Sequence, residues 1–294
     1  MLFRFKKTEP LARAVRRICR QHLGRAQAHL RKSPPAAAVH GVRKEIKRVR
    51  AILWLVRGEI KPRVFRKLRK SLRRAARRLA ASRDALVMLQ AFEQLTRRIS
   101  RRQFPAIRQA LRKNHRQAAG WFRDAVASGL VQKNLRKIKR RTAALKLRSD
   151  GWQAIEPGLK MSFQRERLAC AGVGNQPVPD NFHEWRKQVK MLSVQLRSLC
   201  PRWPAGAPAP LKELDQLSEL LGEDHDLCLL NQWVSAHFAG GQVGEFGRLL
   251  AVRQQELRTL VLNLGARLHA ESPADVCFQL GNYWNRWRGS SKEK

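Results

Sequence analysis

Apolar residues recur along this chain at spacings of three and four. From Val39 to Ile60, the residues Val42, Ile46, Val49, Leu53 and Val56 make one stripe, with Arg43, Lys47, Arg50 and Arg57 beside it. That is the pattern of an amphipathic helix. From Pro62 to Ala81, Val64, Leu68, Leu72, Ala75 and Leu79 repeat it among Arg66, Lys67, Arg69, Lys70, Arg73, Arg74, Arg77 and Arg78. No stretch alternates with a period of two, and no Asn-Gly or Asp-Gly turn sits between β-branched runs. The fold expected is all-α. Glycine and proline breaks, among them Pro34-Pro35, Ser128-Gly129 and the run Pro201 to Pro210, divide the chain into segments. The predicted helices span 9–31, 36–58, 62–81, 84–99, 102–128 and 131–147, then 156–171, 180–199, 210–221, 224–238, 242–270 and 274–288.

The two sets of six match in order and length, which signals an internal repeat. A short phrase marks it. His40-Gly41-Val42-Arg43-Lys44-Glu45-Ile46-Lys47 and His183-Glu184-Trp185-Arg186-Lys187-Gln188-Val189-Lys190 both spell H-x-x-R-K-x-x-K, 143 residues apart. Positions i, i+3, i+4 and i+7 share one helix face, so each copy presents a histidine and three cations as a stripe. Such a stripe suits an anionic ligand. Leu79 to Asp84 aligns with Leu221 to Asp226 at an offset of 142. This places Asp84 and Asp226 at the starts of the two fourth helices, as structural caps or arginine anchors. The expected organisation is two pseudo-symmetric helical bundle halves, 1–150 and 151–294, about a twofold axis.

Charge sharpens the ligand class. The chain has 61 Lys+Arg against 22 Asp+Glu, a net charge of +39. Residues 1–150 hold 44 basic and 7 acidic side chains, whereas 151–294 hold 17 and 15. A field of that sign gathers polyanions. Aromatics are scarcest where charge is densest: of eight tryptophans, only Trp54 and Trp121 lie in the basic half. The tryptophans are read as core and interface residues, because binders of single strands need aromatic platforms beside their basic grooves.

Other chemistry is poorly represented. The five cysteines, Cys19, Cys170, Cys200, Cys228 and Cys277, are widely spaced with no C-x-x-C pair, against a disulfide framework or a zinc site. Asp224-His225-Asp226 invites a metal reading, but consecutive helical residues point in different directions, and no metal or cofactor is expected. No P-loop, H-E-x-x-H, nucleophile elbow or acidic magnesium cluster is present, so a binding module is expected and not an enzyme. Apolar runs are too short to span a membrane and the N-terminus lacks a signal-peptide core. A cytoplasmic location is expected.

The paired histidine phrases and the Arg83-Asp84 step resemble the CHAD (conserved histidine α-helical) domain over roughly Thr8 to Arg288. The resemblance implies two helical bundles packed around a basic channel that binds inorganic polyphosphate, with association to polyphosphate granules. It implies that His40, Arg43, Lys44, Lys47, His183, Arg186, Lys187 and Lys190 face the ligand. Arg50 and Arg197 join this set, with Arg13, Arg17, Arg20, Arg73, Arg77 and Arg83 as outer members. The sequence departs from the family pattern at Ala80, where a glycine is usual, and at His225, where the step is His-Asp. The E-x-E-x-K signature of triphosphate tunnel enzymes, often fused to CHAD domains, is absent. Nucleic acid, tracked along its phosphate backbone, is the rival ligand, and its secondary binding at low salt is expected in either case; an interaction scaffold associated with polyphosphate granules is the third reading.

Overall fold

The computed structural model describes residues 3–97, 103–199, 211–239 and 241–289. Among the described residues all regular structure is helical. The helices are α1 (Leu11–Lys32), α2 (Pro35–Leu55), α3 (Pro62–Arg77), α4 (Ala80–Thr96), α5 (Pro105–Ala127), α6 (Leu130–Ala143), α7 (Glu156–Asn175), α8 (Pro179–Leu199), α9 (Leu211–His237), α10 (Gly241–Leu268) and α11 (Pro273–Gly289). Cys200, Trp203 and the run Pro201 to Pro210 lie outside the described residues.

Starts and stops follow local chemistry. Proline occupies the first turn of α2, α3, α5 and α7, where its missing N–H would have no intrahelical partner anyway. Gly129, at φ 63°, takes the left-handed turn between α5 and α6.

Two expectations need correction. The helices predicted at 210–221 and 224–238 are one helix, α9, so five helices follow residue 150. The Leu79 step breaks the first half between α3 and α4, but α9 runs straight through Gly222. The reason lies in Asp224, which is 1% exposed and accepts from Gln254 at 3.2 Å and Arg258 at 3.0 Å. Its carboxylate anchors α10 and caps no new helix. Nor do Asp84 and Asp226 stand at helix starts, so they are not caps. Asp84 is the fifth residue of α4 and Asp226 lies mid-helix in α9.

The apolar stripe of α2 is buried as expected, from Val42 to Val56, and so are Leu68, Leu72, Ala75 and Leu79. Val64 is exposed, as is Trp121, against expectation, while Trp185 and Trp284 are core residues. Two hydrophobic cores result. One gathers α1, α2, α3, α6, α7, α8, α11, the start of α9 and the C-terminal ends of α5 and α10; the other gathers α4, the rest of α9 and the preceding parts of α5 and α10. Both draw on residues from either side of position 150. The large core is drawn tight at Gly158 on α7, where a Cβ would stand 1.9 Å from the Leu55 carbonyl oxygen. Gln195 on α8 donates to the Ala51 carbonyl at 3.2 Å. These contacts set α7 and α8 against α2.

Candidate functional site

With Val42, Ile46 and Val49 fixed in the core, the helical period turns His40, Arg43, Lys44 and Lys47 away from it. On α8, buried Trp185, Val189 and Leu192 do the same for Lys190. The first stripe and two residues of the second open onto one cleft of about 760 Å³, where Lys44, Lys47 and Arg43 meet Arg186, Lys190 and Arg197. A second cleft of similar volume shares His40, Arg83, Arg186 and Lys190, and continues past Asp226 and Arg253. Together they form one continuous basic furrow.

The cations crowd one another. Lys47 reaches water from the floor of the cleft, but the protein around it strips part of its hydration. That desolvation, followed by the charges of Arg186, Lys190, Arg43 and Arg83, pushes its ammonium down to about 7. Desolvation and Arg186 push Lys190 down to about 8, although Asp226 and Glu219 oppose this. Arg186 is 5% exposed and its Nε has no hydrogen-bond partner. Desolvation and then Lys44, Arg83, Lys47 and Lys190 hold His40 below its ordinary value. A site built this way favours an incoming anion, since each cation is underpaired in the free protein.

Several neighbours carry structure as well as charge. Arg43 donates to the Ala76 carbonyl at 2.8 Å, tying α2 to the end of α3. Arg83 pairs with Asp226 at 3.1 Å and with Asp84 at 3.5 Å, so the two aspartates serve as arginine anchors. Desolvation raises the Asp84 carboxyl despite Arg83 and Arg43. Arg197 is bonded to Asp215 and Lys187 to Glu184.

Not every expected residue gathers here. Arg50, Arg73 and Lys187 line a separate pocket farther along α2, at its C-terminal end. His183 turns to His225, Nδ1 to Nδ1 at 3.1 Å with the rings stacked at 4.2 Å. Desolvation, then Arg186 and His183, press His225 down to about 3. Arg13, Arg17, Arg20 and Arg77 line none of these clefts; Arg17 instead pairs with Glu9 at 2.6 Å. Asp224, His225 and Asp226 have three different partners, and no group able to hold a metal occurs among the described residues. The four described cysteines are free thiols.

The sequence reading missed His22, Arg25 and Arg48 at the near end of the cleft. His22 meets Glu45 at 2.5 Å, Arg48 donates to Glu45 at 2.9 Å, and Phe3 stacks on His22 at 4.4 Å beneath Arg25. Glu45 interrupts the basic stripe in sequence, and that interruption was the available signal: a buried acid needs cationic partners.

Comparisons with known proteins place the fold. The chain is similar in structure to the CHAD domain from the plant Ricinus communis, at 16% identity and a TM-score of 0.64, covering 95% of this chain and 94% of that one. It is also similar to PptA from Streptomyces chartreusis, at 14% identity and a TM-score of 0.67, covering 88% and 100%. No curated protein matches the sequence. The family model for the CHAD domain matches residues 14–235, most of the chain, and the protein therefore belongs to the CHAD domain family.

Proposed function

We propose that this protein binds inorganic polyphosphate without transforming it, in the furrow between α2 and α8. One observation carries the reading. Arg43, Lys44 and Lys47 of one phrase and Arg186 and Lys190 of the other, 143 residues apart in sequence, line a single cleft, where lost hydration and then the neighbouring cations push Lys47 to about 7 and Lys190 to about 8. A polyanion relieves that repulsion. The halves 1–150 and 151–294 each supply one stripe, consistent with a pseudo-twofold arrangement.

Polyphosphate fits the lining better than nucleic acid does. It is a flexible string of charges with no bases to accommodate. The one aromatic ring of the main cleft outside the histidines, Phe3, is already stacked on His22 and covered by Arg25. Arginines can fork onto two phosphate oxygens, while lysines act as point charges. Family membership supports the same class, since CHAD proteins are polyphosphate-related. Recruitment to polyphosphate granules in the cytoplasm follows as part of the proposal.

The test is competition among long-chain polyphosphate, RNA and duplex DNA at one near-physiological ionic strength. Polyphosphate should win at equal phosphate concentration, and its affinity should fall steeply with salt as counterions are released. Displacement of polyphosphate by nucleic acid would overturn the reading. Release of orthophosphate on prolonged incubation with magnesium would overturn its non-enzymatic part.

A further inference from the structure

The pocket that collects Arg50 and Lys187 differs in kind from the furrow. It holds about 220 Å³ between α2, α3, α7 and α8, with Leu53, Phe65 and Leu72 among its apolar walls. Arg50, Arg69, Arg73 and Arg165 surround it; Glu184 also lines it but is paired with Lys187, and none of the four arginines forms an ion pair among the described residues. Arg50 is held below its ordinary value by desolvation and then by Arg73 and Arg69, so these guanidiniums stand close together.

Trp54 is the second observation. It lines the pocket and is 8% exposed, and its indole N–H has no hydrogen-bond partner. Arg165 and Arg57 lie over the ring at 4.4 and 4.8 Å. The indole thus already serves as a platform for arginines, and what it has left to offer is a donor. A buried donor without an acceptor is unfavourable until something supplies one.

We propose that this pocket is a separate site for a terminal phosphate group: orthophosphate, pyrophosphate, or the end of a longer phosphate chain. A terminal group carries more charge and more free oxygens than an internal phosphate, which suits several guanidiniums lining one small space beside an unpartnered indole N–H. The volume is below the range of ordinary small-molecule pockets, and leaves room for about one or two phosphate groups. The lining also explains why the site is not a copy of the furrow. His22 and Arg165, Lys44 and Lys187, Arg48 and Met191, Ser193 and Arg50, and Arg197 and Trp54 are each 143 apart, one of each pair in either place. Here Met191 and Trp54 stand where the furrow has arginines, and the pocket gains apolar walls. Only the chain-end source rests on the polyphosphate reading above.

The test is calorimetric titration with pyrophosphate, without metal, in a Lys44→Ala/Lys47→Ala background that weakens the furrow. That background should still bind pyrophosphate. Adding Arg69→Gln and Arg73→Gln should weaken it at least tenfold, and adding Trp54→Phe several-fold, with helical circular dichroism unchanged. No binding in the background, or pocket variants within twofold of it, overturns the proposal. Long chains with free and with esterified ends then identify the source. Weakening by the pocket changes only for free ends assigns the chain terminus, and no effect on either assigns the free small anion. Failure of the parent protein, its furrow intact, to bind long chains while it still binds pyrophosphate would count against the polyphosphate reading and leave this site standing.

Discussion

Arg83 on α4 pairs with Asp226 on α9 at 3.1 Å, so the Arg-Asp step of the first half is completed by the aspartate of the second. The reciprocal pair does not form. His225 occupies the position equivalent to Arg83, and it stacks on His183 instead of reaching Asp84. Asp226 also supports the charges of Arg186 and Lys190. One carboxylate is therefore the main internal counterion of a cleft that otherwise repels itself.

Replacing that counterion separates its two roles. Asp226→Asn should lower the stability of the free protein by about 1–2 kcal/mol, as expected for a partly buried pair that leaves an arginine unmatched. Polyphosphate supplies the missing charge, so it should raise the melting temperature of the variant more than that of the parent. Arg83→Ala should lower both stability and affinity. Thermal melts with and without polyphosphate check this, and an equal ligand-induced shift in parent and Asp226→Asn would contradict it.

The fold was legible where one helix face had to be apolar. The stripe Val42 to Val56 is buried as its spacing requires. The break expected between 221 and 224 carried the interruption at Leu79 to Asp84 over to the aligned Leu221 to Asp226, whereas Asp224 and Arg258 pair across helices and α9 continues. The candidate site was legible at its middle, where Arg43, Lys47, Arg186 and Lys190 meet, and not at its ends. Lys44 and Lys187 are equivalent in sequence but line different spaces. The C-terminal end of α8 lies beside the first half of α2, and the C-terminal end of α2 beside the first half of α8. That relation is tertiary, and a single helix does not encode it.

Within α2, the two lysines and the arginine should behave differently. Lys44→Ala/Lys47→Ala should weaken polyphosphate binding by roughly 1.5–3 kcal/mol for each charged hydrogen bond removed from a partly desolvated position, and flatten the salt slope. The fold should hold, because alanine favours helix and repulsion falls. Arg43→Ala should also destabilise the protein by about 1–3 kcal/mol, since the Ala76 carbonyl then has no guanidinium donor. Denaturant unfolding and salt-dependent titrations distinguish the two. A control at Arg13 and Arg20, on α1 outside the clefts, should change affinity little; equal weakening there would mean diffuse charge.

On α8 the prediction divides the repeat phrase itself. Arg186→Met/Lys190→Met should cost far more long-chain affinity than two charges out of +39 suggest, because both face Lys47 in the furrow. Lys187→Ala should have little effect on internal stretches of the chain, since Lys187 is exposed, bonded to Glu184 and in the other pocket. A binding assay with end-blocked polyphosphate reads the difference. Were Lys187→Ala as damaging as the pair, the two spaces would act as one site.

Protons should report the same crowding. Lys47 at about 7 and Lys190 at about 8 stand well below 10.5, so between those values the unfolded chain binds more protons than the folded one. Stability therefore rises with pH through that window. His225, pressed from 6.5 to about 3, adds a loss of stability as pH falls below 6.5. The free protein should melt at a higher temperature at pH 8.5 than at pH 6. Bound polyphosphate favours the charged lysines and reverses the balance: complex formation near pH 7.5 should take up protons, and affinity should weaken as pH rises from 7 to 9. Calorimetry in two buffers of different ionisation enthalpy measures the uptake directly. Lys47→Met should raise the stability of the free protein, flatten its pH dependence and reduce the proton uptake. Proton release on binding, or a parent stability that falls from pH 6 to pH 8.5, would show that the lysines of the cleft are not the strained groups the geometry makes them.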